Sequence, residues 1–98
     1  MLSAEQIAVI CHETLRAHEK QVTGKLVPPW DVLPVVTKAV CIAKVRYVLS
    51  KPKTDIGPQA VYDFCRPEGA PQFDNLSNHR QEQVFLFRGI VNSLSGWT

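Results

Sequence analysis

Seven residues, Pro28-Pro29-Trp30-Asp31-Val32-Leu33-Pro34, constrain this chain more than any other stretch. A residue that precedes a proline is pushed out of the helical region of backbone space, so the paired prolines force extended backbone. Trp30 adds a large apolar anchor with a single N–H that wants a partner. Pro34 then suits the first position of a helix, where its missing N–H costs nothing. The segment reads as a rigid elbow between two helices.

On the N-terminal side, Ser3 with Gln6 three residues on fits a capping box. Ile7, Ile10, Cys11, Thr14, Leu15 and His18 follow at helical spacing along one face, with Glu5, Glu13, Arg16, Glu19 and Lys20 mostly elsewhere. This predicts a first helix over 4–21, ending before Thr23-Gly24. Beyond the elbow a second helix is predicted over 34–50. Val36, Ala39, Val40, Ala43 and Tyr47 line one stripe, with Ile42, Val45 and Leu49 beside it. So wide an apolar surface predicts a central helix touching neighbours on two sides, and Ala39 and Ala43 permit close approach. The β-branched residues Val35, Val36, Val40, Ile42, Val45 and Val48 also suit a strand; length and the stripe favour helix.

Lys51-Pro52-Lys53 stops that helix. Thr54 or Asp55 is positioned to cap a short third helix over 57–65, with Pro58 in its first turn and Ile56, Val61, Phe64 and Cys65 facing inward. Residues 66–71 are rich in turn formers and read as a loop. Ser77 is placed to cap a last helix over 78–94, with Val84, Phe87, Val91 and Leu94 on one face, widened by Phe85 and Ile90. Gly96 is the expected terminating glycine, with Trp97 folding back on the last turn. The fold class is all-α: one domain over 1–98, of three longer helices and one short one.

With 45% hydrophobic and 20% charged residues the chain is globular in type. No apolar run approaches the roughly 20 residues of a membrane span. Met1-Leu2-Ser3-Ala4-Glu5-Gln6 lacks a basic start and an apolar signal core, which argues for a cytoplasmic protein. In that compartment Cys11, Cys41 and Cys65, an odd number without tight spacing, read as free thiols. Charge is unevenly placed. Residues 25–53 hold six bases and one acid, a net of +5, whereas the remainder holds five bases and eight acids, a net of −3. Such a basic segment marks either an anion-binding or acidic-partner face or a solvated helix flank.

Catalytic signals are sparse. Cys11 and His18 share a helix face, and His12 with Cys41 completes a metal site on paper, but no close ligand pair of the Cys-x-x-Cys kind exists. Cys65 beside Arg66 is the thiol best placed for activation. There is no glycine-rich phosphate loop, nucleophile elbow or paired-carboxylate signature, so neither an enzyme nor a cofactor is expected. Duplex nucleic acid is not the expected partner either: no helix-turn-helix pattern is present and the isoelectric point is 8.5. A few cations with Trp30 or Tyr47 as a stacking surface suit a nucleotide; core packing is the alternative role for both rings.

Three islands carry a family resemblance: Ser3-Ala4-Glu5-Gln6-Ile7-Ala8-Val9-Ile10-Cys11-His12-Glu13, the 28–34 elbow, and Phe73-Asp74-Asn75-Leu76 followed by Phe85-Leu86-Phe87-Arg88-Gly89-Ile90-Val91. Together they resemble small phage and prophage proteins with a ryanodine-receptor-type repeat domain, in which a tryptophan-led loop precedes one helix and a Tyr-Asp-x-Leu turn another. The family's middle holds a Trp-x-Tyr-Gly stretch, a Lys-Asp pair and a His-Pro segment. Here the shorter Cys65-Arg66-Pro67-Glu68-Gly69-Ala70-Pro71-Gln72 stands in their place. The resemblance implies a helical scaffold and a phage context, and, through prokaryotic members, a link to nucleotide-derived signals.

The combined expectation is a non-enzymatic phage or prophage accessory protein that binds a host protein, an acidic one if the basic segment is the contact. The elbow, helix two and the Arg66–Gln72 loop form the expected face, with Trp30, Lys38, Lys44, Arg46 and Arg66 as binding residues. The alternative expectation is a nucleotide- or NAD-derived ligand held by Trp30, Arg46 and Arg66. The apolar content of helices two and four also makes a homodimer an expectation.

Overall fold

The computed structural model describes residues 1–51, 57–64 and 66–98. The capping box forms as the sequence predicts: the Gln6 N–H donates to Ser3 Oγ at 3.1 Å, and the Ser3 N–H donates to Gln6 Oε1 at 2.8 Å. Helix α1 then runs Ala4–Thr23. Gly24 ends it in the left-handed region at φ 78°, donating its N–H to the Lys20 carbonyl at 2.9 Å. A side chain at that φ would be strained, so the glycine is required there.

The elbow is extended at Pro29, coils once through a 3-10 turn at Trp30–Val32, and is extended again at Leu33. Helix α2, Val35–Leu49, begins one residue later than predicted. Pro34 holds ψ 148° and serves as the cap, its carbonyl accepting the Lys38 N–H at 3.1 Å. Helix α3 is Pro58–Phe64 and helix α4 is Asn78–Leu94, entered through a 3-10 turn at Phe73–Asn75. Among the described residues there is no strand, so the strand alternative for α2 is set aside. The proposed caps Thr54 and Asp55, inward Ile56, and Cys65 lie outside the described residues.

Helix α1 packs against α4 and α2, and α3 closes the bundle against α4 and α2. The core joins Ile7, Ala8 and Cys11 of α1, Val45 and Val48 of α2, Val61 of α3, Phe87 and Val91 of α4, and Trp30 of the elbow. Several predicted faces turn differently. On α1 the inward stripe is Ile7, Ala8, Cys11, Leu15 and Glu19, leaving Ile10 and Thr14 exposed. On α2 the core takes Val45 and Val48 with Cys41, Ile42 and Leu49 against it, while Val36, Ala39 and Val40 face solvent. Phe64 is half exposed and lies flat on Tyr47, ring centroids 4.2 Å apart.

The end of α4 also departs from the reading. Gly96 does not take the left-handed conformation; the helix tightens into a 3-10 turn at Ser95–Trp97. Trp97 keeps its ring exposed, and its carbonyl accepts the Leu2 N–H at 2.7 Å, tying the two ends of the chain together. Ser77 occupies the cap position of α4, but its hydroxyl meets His79 Nδ1 at 3.2 Å instead of the helix backbone.

Candidate functional site

The elbow is strapped to α1 by three side chains from a five-residue stretch of the helix. His12 Nε2 donates to the Pro28 carbonyl at 2.8 Å, Arg16 Nε donates to the Val27 carbonyl at 2.8 Å, and Glu13 Oε2 accepts the Trp30 backbone N–H at 3.2 Å. Arg16 also pairs with Glu13 at 2.9 Å. Partial burial pushes the Glu13 carboxyl up, but the Trp30 N–H and the Arg16 guanidinium outweigh it and hold the group below its ordinary value. The Trp30 ring is 7% exposed, edge-on to His12 at 6.0 Å. Lys38 Nζ stands 5.9 Å from the centre of that ring and donates to the Asp31 carbonyl at 3.4 Å. Trp30 therefore serves the core, with Lys38 beside its ring.

The strap presents α2 to solvent. Val32 is 67% exposed, Val35 82% and Val36 74%, with Val40 half exposed one turn on. These residues and Ala39 form one uncovered apolar face. It is flanked by Lys38 near its start and exposed Arg46 near its end, and α2 carries no acid. Of the stripe that periodicity picks out, Val36, Ala39 and Val40 are exposed, whereas Ala43 is partly buried and Tyr47 packs against the core. Periodicity could not decide, because the apolar residues of α2 are spread around the helix with no dominant side.

The five residues expected to bind are not gathered in one place. Lys38 sits with Trp30 at the elbow. Arg46 lies in the last turn of α2, about 16 Å along the axis from Val35 at 1.5 Å per residue. Arg66 is exposed after α3. Lys44 turns the other way, its ammonium 4.7 Å from the centre of the Phe87 ring. Among the described residues, Trp30, Arg46 and Arg66 line none of the cavities of about 770, 470, 180 and 140 Å³.

Two further features escaped the sequence. Buried Glu19 crosses from α1 to α4, where Arg80 Nη2 meets it at 2.9 Å, Gln83 Nε2 donates at 3.3 Å and His79 Nε2 lies 3.8 Å away. Beside it His18 Nε2 meets Glu82 at 3.2 Å. This clamp ties the C-terminal part of α1 to the start of α4. The sequence signal that fits the inner position of Glu19 is its spacing of four and eight residues from Leu15 and Cys11. The other feature is an open apolar groove of about 770 Å³ between α1 and α4, floored by Leu86, Gly89 and Ile90 and edged by Ile10 and Phe85. Among the described residues no three His, Cys, Asp or Glu side chains gather at a spacing suited to a metal ion.

Fold and surface together define a small all-helical domain with an uncovered apolar helix face beside basic side chains. Comparison with protein-family models, with curated proteins and with solved structures finds no match. No described helix is long and apolar enough to cross a membrane.

Proposed function

We propose that this chain is a non-enzymatic accessory protein of a phage or prophage. It acts in the cytoplasm of the bacterial host by occupying a host protein, as a counter-defence inhibitor or a regulator of the host. One observation carries the reading: the outward face of α2. Val35 and Val36, of the apolar-rich helix α2, stand in solvent beside Val32 and Val40. Contiguous exposed apolar surface on a small domain marks an interaction site. Ala39 at its centre lets a partner helix approach closely.

Charge sets the kind of partner. With Lys38 and Arg46 on its flanks and no acid on α2, the face suits an apolar surface edged by carboxylates. Lys44, turned towards Phe87, is not part of this face. The test is affinity capture of the tagged protein from bacterial cells, comparing the native chain with Val36→Glu/Val40→Glu and Lys38→Glu/Arg46→Glu. One host protein recovered with the native chain is expected to be lost with the first variant and strongly reduced with the second. Its undiminished recovery with Val36→Glu/Val40→Glu removes α2 as the contact.

A further inference from the structure

Residues of α1, α2, α3 and α4 meet at a smaller cavity of about 180 Å³. Leu15 of α1, Val61 of α3, Leu76 and Phe87 give it apolar walls, and Lys44 and Arg80 bring two cations. The two cations are not equivalent. Arg80 is spoken for: Nη2 meets the buried Glu19 carboxylate at 2.9 Å and Nη1 donates to Gln83 Oε1 at 3.0 Å. Lys44 is only partly exposed and rests on the Phe87 ring, with no carboxylate at ion-pair distance and no hydrogen-bond acceptor among the described residues. The ring face offsets part of the lost hydration of an ammonium. Among the described residues no protein acceptor meets its three N–H donors, which leaves the ammonium open to a charge-assisted contact with an anion in the cavity.

We infer that this cavity is a binding site for a small carboxylate carrying an apolar body, its carboxylate on Lys44 and its body against Leu15, Val61, Leu76 and Phe87. Local charge decides the valence. Glu19 cancels Arg80, leaving a single positive charge for a single negative one. Room decides the size. A cavity of about 150 Å³ accepts benzene, so 180 Å³ takes one ring or a short hydrocarbon chain. Nucleoside phosphates fail on both counts, since they bring several charges and pockets for ligands of that size run to about 300 Å³ and above. The same chemistry is offered by a free small acid and by the C-terminus of a peptide ending in a hydrophobic residue.

The experiment is a titration of the ¹⁵N-labelled protein followed by amide shifts. Its probes are sodium phenylacetate, neutral phenylacetamide, sodium acetate, and a blocked tetrapeptide ending in Phe with a free carboxylate. Saturable shifts around Leu15, Val84 and Phe87 are expected with phenylacetate. Phenylacetamide is expected to bind at least tenfold more weakly for want of the charge, and acetate at least tenfold more weakly for want of the body. Lys44→Met, which keeps the apolar stem, is expected to weaken phenylacetate by the same factor. Tighter binding of the tetrapeptide than of phenylacetate names a peptide end as the source; the reverse order names a free acid. No saturable shift with either carboxylate, or equal affinity for phenylacetate and phenylacetamide, overturns the proposal. That second comparison uses the native chain, so it stands even where Lys44→Met fails to fold.

Discussion

Glu19 shows how a single charged residue organises this fold. Its carboxylate is buried, and α4 supplies Arg80 and Gln83 to meet it. Arg80→Ala leaves that carboxylate buried without its cation and is expected to destabilise by about 1–3 kcal/mol in urea denaturation. In a Glu19→Gln background the same change is expected to cost far less, because the charge it orphaned is gone. Additive losses would mean the pair does not couple the helices. Glu13 gives a pH signature at the elbow. Its folded value is held below the ordinary 4.5, so its contribution is complete above that value and fades as pH falls through the lower folded one. The melting-temperature gap between native protein and Glu13→Gln is expected to be full at pH 7 and to close on acidification; a gap independent of pH refutes the Trp30 and Arg16 contacts as its origin. Cys11 is the inert counterpart. Burial, reinforced by the neighbouring Cys41 thiol and opposed by Lys44, pushes it up to about 12. At pH 8 iodoacetamide is expected to spare Cys11 until the protein unfolds, read by peptide mass spectrometry, since the thiolate is the reacting form.

Among the elements, α2 separates what a sequence holds from what it leaves open. Its existence was legible from length and apolar spacing, and its start from the proline elbow, misplaced by one residue because Pro34 caps the helix from an extended conformation. Which side faces inward was not legible: Val36, Ala39, Val40 and Ala43 offer as regular a stripe as Ile42, Val45 and Leu49, and only tertiary contacts choose. The choice has a measurable consequence. Val36→Ala is expected to change stability by less than about 0.5 kcal/mol, whereas Val45→Ala leaves a gap in the core and is expected to cost about 2 kcal/mol. Equal costs would return the outward stripe to the interior. Helix α1 errs more mildly. Its cap and length are in the pattern, but Glu19 reads with the charged residues mostly off the apolar face, because no property of a lone glutamate announces an Arg80 sixty-one residues away.

At the scale of the molecule, the helices enclose a core that stops short of covering α2. The Cα radius of gyration, 13.0 Å, matches the value of about 13 Å for a globule of 100 residues, so the open valines belong to a folded domain's surface. The candidate site was legible only in pieces. The basic segment and Trp30 stood out in the sequence, while the separation of Lys44 from Lys38 and Arg46 depends on which way each side chain leaves α2. The central claim, that the outward face of α2 holds a host protein, is tested most directly by site-specific photo-crosslinking in bacterial cells. A benzoylphenylalanine is placed at Val36, at Val40 and, as a control, at exposed Phe85 on α4. The account predicts one discrete adduct with a host protein from positions 36 and 40 and none from 85. No adduct at 36 and 40, an adduct confined to 85, or a product of twice the chain's own mass contradicts it.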